Sequence, residues 1–177
     1  MNISMIKVGF LRCNCYLVEK NNSYLLIDPG DDYLKIKDFI KDKNIVGVLL
    51  THNHFDHVAS VDNLMSDYKF PIYMYKDLKE GNMSIGDFDF EIIKTNGHTM
   101  DCLTFYFRKE KIMFTGDFLF KGTIGRCDLL ESNYSEMLKS LKKILVYDDD
   151  IKIYPGHGLS SILGDEKKYN PYFKEVL

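Results

Sequence analysis

The stretch THNHFDH, residues 51–57, places three of the chain's five histidines within six positions, with one aspartate among them. It follows IVGVLL (45–50), a continuous apolar run that reads as a buried strand delivering Thr51 and His52 at its C-terminal end. In an extended loop, residues two apart point the same way, so His52 and His54 can grip one ion together. Asp56 and His57 are adjacent where the chain turns into a helix, and they face a neighbouring position. Two histidines with a third donor from elsewhere form a familiar three-ligand zinc set that leaves a coordination position open. His98, after Gly97, can close the first set. His157, between Gly156 and Gly158, can join Asp56 and His57. A bridging carboxylate would lock the pair, and FTGD (114–117) offers Asp117 at the end of an apolar strand. A lone histidine is more often a surface or core residue than a ligand, but here all five lie where a strand runs into a turn.

Working outward, residues 3–8, 15–20 and 23–27 read as short strands, and 32–42 as a helix that Asp31 or Asp32 can cap. Residues 57–67 have the spacing of a second helix, with Val58, Val61, Leu64 and Met65 on one face. PIYMY (71–75) suggests a strand, and 84–95 a turn followed by an alternating strand. CLTFYF (102–107) and KIMFTG (111–116) flank a charged turn as a hairpin. Residues 118–132 read as irregular. Asn133 and Glu136 form the signature of a capping box for a helix over 134–145, and IKIY (151–154) is a final short strand. There are no repeats or low-complexity segments, so the order implies two packed sheets with helices outside, in one domain over 1–177.

The 177 residues are 45% hydrophobic and 28% charged, a globular balance, with a net charge of −3. Without a basic surplus, no nucleic-acid partner is expected. No apolar run approaches the ~18–20 residues needed to span a bilayer, and the N-terminus lacks signal-peptide features. Membrane association is therefore not expected, and the cytoplasm is the expected location. The four cysteines (Cys13, Cys15, Cys102, Cys127) have no framework spacing and read as reduced thiols that pack rather than react. Oligomeric state is unreadable.

THNHFDH resembles the HxHxDH signature of the metallo-β-lactamase superfamily. Its companions follow in that family's order: DPG (28–30), GHT (97–99), TGD (115–117) and GHG (156–158). The resemblance implies an α/β fold, a four-layer αβ/βα sandwich of two mixed β-sheets flanked by helices, with the metals at one edge. It also implies that His52, His54 and His98 hold the first metal, that Asp56, His57 and His157 hold the second, and that Asp117 bridges them. Asp56 and Asp117 are the expected catalytic carboxylates. NCYLV (14–18), GDFLFKGTIGRCDL (116–129) and LGDEKKYNP (163–171) further resemble small glyoxalase II-like hydrolases. Two departures lie beside the ligands: Ala59-Ser60 replaces a glycine pair, and GHTMDC replaces GHTPGS. They bear on the substrate entrance rather than on metal binding. The helical domain that supplies much of the glutathione site in full-length glyoxalase II has no counterpart in the matched segments.

By this resemblance the expected function is hydrolysis of a small-molecule thioester by a dinuclear centre. Its cofactor would be two divalent ions, zinc first, with iron or manganese accepted by the same ligand types. Metal binding brings the pKa of water to roughly 7, so a metal-bridging hydroxide would attack the acyl carbon. A thiolate leaving group needs little protonation, which suits a site without an obvious general acid. Asp28 either orients a ligand histidine or holds the turn before Pro29. Arg126 either meets an anionic substrate or pairs with Asp128. A β-lactamase is not expected, since such enzymes commonly place cysteine at the position of Asp117. The enzymatic alternative is a persulfide dioxygenase with one iron on His98, Asp117 and His157. The alternative of another class is a non-catalytic metal-binding or interaction domain, disfavoured because no ligand is missing.

Overall fold

The β-branched and aromatic runs pair into two mixed sheets. The computed structural model describes residues 1–177. The first sheet contains β1 (Asn2–Val8), β2 (Cys13–Lys20), β3 (Ser23–Ile27), β4 (Ile45–Leu49) and β5 (Ile72–Tyr73) in that spatial order. Its first three strands are antiparallel, and β3, β4 and β5 run parallel. The second sheet contains β6 (Gly81–Ile85), β7 (Phe88–Lys94), β8 (Leu103–Phe107) and β9 (Ile112–Gly116). After a two-stranded ribbon of β10 (Leu119–Phe120) and β11 (Thr123–Ile124), β12 (Lys152–Pro155) and β13 (Ser161–Ile162) complete it. Its order is β13-β12-β9-β8-β7-β6, and only β9 and β12 are parallel.

Side-chain alternation sorts each strand's residues between two environments. Tyr16, Val18, Leu25, Ile27 and Leu49 face Phe88, Phe90, Phe105, Phe107 and Phe114 across the gap between the sheets. On the outer face of the first sheet, Cys15, Leu17, Leu26 and Val48 pack against helices α1 (Tyr33–Phe39) and α3 (Val61–Asp67) through Ile36, Ile40, Val61 and Leu64. Helix α4 (Tyr134–Ile144) covers the second sheet, laying Met137, Leu141 and Ile144 on Ile93, Met113 and Ile153. Each fully buried side chain of this size contributes roughly 1.5–3 kcal/mol of burial. The four layers are therefore helix, sheet, sheet, helix, the expected αβ/βα sandwich. No helix is long and apolar enough to cross a membrane.

Several local expectations change. The helix expected over 57–67 is two pieces, α2 (Phe55–Val58) and α3, because Ser60 N donates to Gly30 O at 2.6 Å rather than to its own helix. The turn and strand expected over 84–95 belong to a full hairpin of β6 and β7, bent at Gly86. Residues 118–132, expected to be irregular, contain the β10–β11 ribbon. Asp32 precedes α1 but does not cap it; its carboxylate accepts from Gly9 N at 2.9 Å. Asn133 does cap α4, accepting from Glu136 N at 3.1 Å, whereas the Glu136 side chain turns to Lys139 and leaves the box half-formed.

Helix α5 (Leu163–Tyr169) explains the tail motif. Its buried Glu166 accepts from Gly122 N, Ser161 Oγ and Asn170 Nδ2, and Asn170 Nδ2 also reaches Thr123 O at 3.1 Å. These bonds clamp the ribbon that follows Asp117. Five of the seven predicted ligands leave strand ends or the loops beside them, and Asp56 and His57 sit on the short helix α2 that follows the β4 loop.

Candidate metal centre

Residues 52–54 belong to no helix or strand, His54 is extended, and α2 begins at Phe55. His52 and His54 turn to one side, as expected, and meet His98, which comes from the loop after β7. Their ligand atoms lie within 4.8 Å of one another. Asp56 and His57, on α2, meet His157 from the loop after β12, again within 4.8 Å. Asp117 stands between the sets. Its Oδ1 is 3.3 Å from His57 Nε2, and its Oδ2 is 3.6 Å from both His98 Nε2 and His157 Nε2.

Each anchored histidine is held by one ring nitrogen, which decides what the other can do. His98 Nδ1 lies 2.9 Å from Arg126 O, and a carbonyl only accepts, so that nitrogen donates and Nε2 keeps its lone pair. His54 Nε2 donates to Glu131 Oε1 at 2.8 Å, which leaves Nδ1 facing inward. His57 Nδ1 donates to Asp28 Oδ2 at 2.9 Å. The Thr51 hydroxyl donates to the same oxygen at 2.7 Å and so accepts from His52 Nδ1 at 3.1 Å. Asp28, 1% exposed, also accepts from Thr51 N at 2.8 Å. It thus orients His57 directly and His52 through Thr51.

The ring nitrogens opposite these bonds converge on one another. His98 Nε2 and His54 Nδ1 sit 2.9 Å apart with both lone pairs directed inward, an approach that a cation between them relieves. His52 Nε2, His57 Nε2, Asp56 Oδ2 and Asp117 Oδ1 are buried and have no hydrogen-bond partner. His157 Nε2 is 3.0 Å from Asp56 Oδ2, within ion-pair range but without hydrogen-bond alignment. An unsatisfied buried polar atom typically costs ~1–3 kcal/mol, so four at one point fit a cationic group. Gly156 gives them room: a Cβ there would lie 2.3 Å from Asp117 Oδ1 and 2.5 Å from His57 Cε1. Imidazole and carboxylate donors suit zinc, iron or manganese.

The electrostatics divide the ligands. Burial, reinforced by the neighbouring imidazoles, pushes His52 well below its ordinary value, and burial lowers His98 as well. Burial also opposes charge on His57, but Asp28 and Asp117 outweigh it and hold its pKa well above the ordinary one. His157 is raised despite burial, by Asp56 and then Asp117. Burial alone would raise the Asp117 carboxyl, yet the histidines around it, His57 first, keep it below the usual carboxylate value.

Arg126 plays its part through the main chain. Its guanidinium lies on Asp128 at 2.9 and 3.0 Å, exposed, while its carbonyl accepts from His98. Sequence reasoning gave no role to Thr51 or Glu131. The threonine beside the motif was a visible clue; Glu131, 77 residues from His54, offered none. Cys13, read as packing, lies within 4.8 Å of the Asp56–His57–His157 donors. Two cavities open beside the centre. One, of about 220 Å³, is lined by Asn53, Met74, Tyr75, Lys76 and Asp101 among others. The other, of about 400 Å³, lies by His54, Met100 and Glu131.

The family model described as the metallo-beta-lactamase superfamily matches residues 8–83 and 77–157. The chain belongs to the metallo-β-lactamase superfamily. It is 32% identical to the hydroxyacylglutathione hydrolase GloC of Haemophilus influenzae, over 97% of this chain and 98% of that protein. Among solved structures, BLEG-1, a B3 metallo-β-lactamase, superposes with a TM-score of 0.92 at 26% identity, over 97% of this chain and 99% of that one. TTHA1623, solved in a di-iron-bound form, gives 0.87 at 30% identity, over 96% and 99%.

Proposed function

We propose that this superfamily member is a dinuclear metal-dependent hydrolase whose substrate is a thioester, of the hydroxyacylglutathione type. The observation that carries the reading is the convergence of buried nitrogen and carboxylate atoms that have no hydrogen-bond partner. Four histidines are each anchored outward on an acceptor, so their free nitrogens meet two carboxylates and His157 at one point. His52, His54 and His98 would hold one ion, Asp56, His57 and His157 the other, with Asp117 between. Likeness to GloC supports the substrate class, and the di-iron form of TTHA1623 supports two ions while leaving zinc and iron as competing occupants.

Divalent ions bound there supply Lewis acidity, bringing a water's pKa towards neutrality and drawing charge from an acyl oxygen. The chain's own residues do the positioning. Asp28, Thr51, Glu131 and the Arg126 carbonyl fix ring orientation and tautomer before any ligand arrives, so no reorganisation is needed at the moment of reaction. The cavity by Met74 and Tyr75 offers apolar wall to an acyl or thiol arm, and exposed Lys76 at its rim offers a cation to a substrate carboxylate. The two carboxylates that line the cavities outside the ligand set, Asp101 and Glu131, already accept from Thr99 Oγ1 and His54 Nε2, so neither is aimed at a leaving group. A thiol, with a pKa near 8.5, departs as thiolate without a proton donor.

The experiment is metal content by mass spectrometry, combined with turnover of S-D-lactoylglutathione, nitrocefin and a glutathione persulfide with oxygen. Two ions per chain and thioester hydrolysis exceeding the other activities are expected. A single iron with persulfide-dependent oxygen uptake, or β-lactam hydrolysis outpacing thioester hydrolysis, would overturn the proposal.

A further inference from the structure

Strand β2 begins at Cys13, and its odd-numbered residues Cys13, Cys15 and Leu17 lie in the cluster under α1 and α3. Cys15 and Leu17 run away from the metal edge into that apolar layer. Cys13, first in the strand, comes level with α2, where its Sγ, an Asp56 carboxylate oxygen and a nitrogen of each of His57 and His157 all lie within 4.8 Å of one another. Two independent features make this more than a thiol packed near a site. His57 is 0% exposed with Nε2 unpartnered, and Asp56 Oδ2 is likewise buried without a hydrogen bond. The start of β2 is also tied to the loop that carries His157. Asn14 N donates to Gly156 O at 2.7 Å, and Asn14 Nδ2 reaches Pro155 O at 2.9 Å and Gly158 O at 3.2 Å. These bonds from the Asn14 main chain and side chain tie the start of β2 to the loop on either side of His157. The other thiols are engaged elsewhere: Cys102 contacts Thr99 Oγ1 at 3.1 Å, and Cys127 donates to Gly125 O at 3.4 Å.

We propose that Cys13 supplies a thiolate to the ion held by Asp56, His57 and His157, giving that position a sulfur donor that the first position lacks. The inference rests on the dinuclear reading above. As the sulfur–metal bond forms, the thiol proton leaves to solvent, so uptake at this position releases one proton more than its nitrogen and carboxylate donors account for. No electron transfer is involved. Sulfur favours zinc or cobalt over manganese, so the two positions differ in selectivity, and the Cys13 position is the one that discriminates against manganese.

Loss of affinity on mutation does not by itself distinguish a ligand from a hydrogen-bonding neighbour, since removing the latter also weakens binding ~10–100-fold. The test is therefore spectroscopic, on the full-length chain loaded with cobalt. Visible d–d absorption counts the bound ions, and a near-ultraviolet sulfur-to-cobalt charge-transfer band reports the thiolate. The band should saturate with one equivalent, vanish in Cys13→Ser and Cys13→Ala, and persist in Cys102→Ser and Cys127→Ser. Two bound cobalt ions with no such band, or a band that survives Cys13→Ser, overturns the thiolate assignment alone. Failure of the wild type to bind two ions at all overturns the dinuclear reading and this inference with it. Zinc X-ray absorption of the wild type requires no variant: a sulfur scatterer near ~2.3 Å is expected, and nitrogen and oxygen scatterers alone refute the proposal.

Discussion

Replacing Asp28 with asparagine tests whether one buried oxygen sets the protonation of two candidate metal ligands. Asp28 Oδ2 receives both the Thr51 hydroxyl and His57 Nδ1–H, while Oδ1 receives Thr51 N. Asparagine keeps the shape and the Oδ1 bond but puts an NH2 group at the second position. His57 Nδ1 must then accept, which moves the ring proton to Nε2, the nitrogen that faces the ion. The Thr51 hydroxyl, now receiving a hydrogen, turns its own onto His52 Nδ1 and moves that proton inward too. Flipping the amide does not help, because NH2 would then face Thr51 N–H. Restoring either tautomer for metal binding breaks one buried hydrogen bond, at ~1–3 kcal/mol. At about 1.4 kcal/mol per tenfold, each ion should bind roughly 5–150-fold more weakly. The assay is zinc competition against a chromophoric chelator, with circular-dichroism melts to confirm that the variant is folded. A folded Asp28→Asn protein that holds both ions at wild-type affinity would refute the reasoning.

Other changes probe the same geometry from different sides. Asp117→Ala removes the carboxylate between the two sets, so chelator competition should show at least ~10–100-fold weaker retention of one ion, with thioester turnover falling alongside; full activity would sink its central placement. Gly156→Ala puts a methyl group 2.3 Å from Asp117 Oδ1 and 2.5 Å from His57 Cε1, so metal content should drop while far-ultraviolet circular dichroism stays unchanged. Metal uptake should release protons and weaken on acidification, because His57 and His157 hold their protons up to raised pKa values and the ion must displace them; calorimetry in buffers of different ionisation enthalpy measures this, and a buffer-independent heat contradicts it. Burial pushes the Cys102 thiol up to about 12, whereas Cys127 is half-buried, so iodoacetamide near pH 8 should label Cys127 first and Cys102 only on unfolding. Peptide mass spectrometry showing equal rates would count against the packing described.

The candidate ligands were legible in the sequence because metal chemistry restricts both residue type and spacing. His52 and His54 had to share a side in an extended loop, and Asp56 and His57 had to follow where a helix begins. The layers were legible for a similar reason: alternation in β7 and the stripe Met137–Leu141–Ile144 each mark a face that must be covered. Local pattern failed where a long-range bond overruled it. The apolar spacing of 57–67 is continuous, yet Ser60 N belongs to the Pro29–Gly30 turn, and the helix breaks there. Glu166 reads as one more charge in a polar tail until Gly122 and Asn170 are brought to it.

By itself, then, the sequence indicated two packed sheets flanked by helices and a set of metal-suited donors, and its motifs, by their resemblance to the superfamily's signature, implied the family, the sandwich and the seven candidate ligands. The tertiary structure alone decided how those ligands are held. Glu131 behind His54, the Arg126 carbonyl behind His98, Asp28 acting on His57 and through Thr51 on His52, and Cys13 beside His157 are pairings between distant segments. Sequence separation carries no information about them; the packing of two sheets, which brings their strand ends to one edge, does.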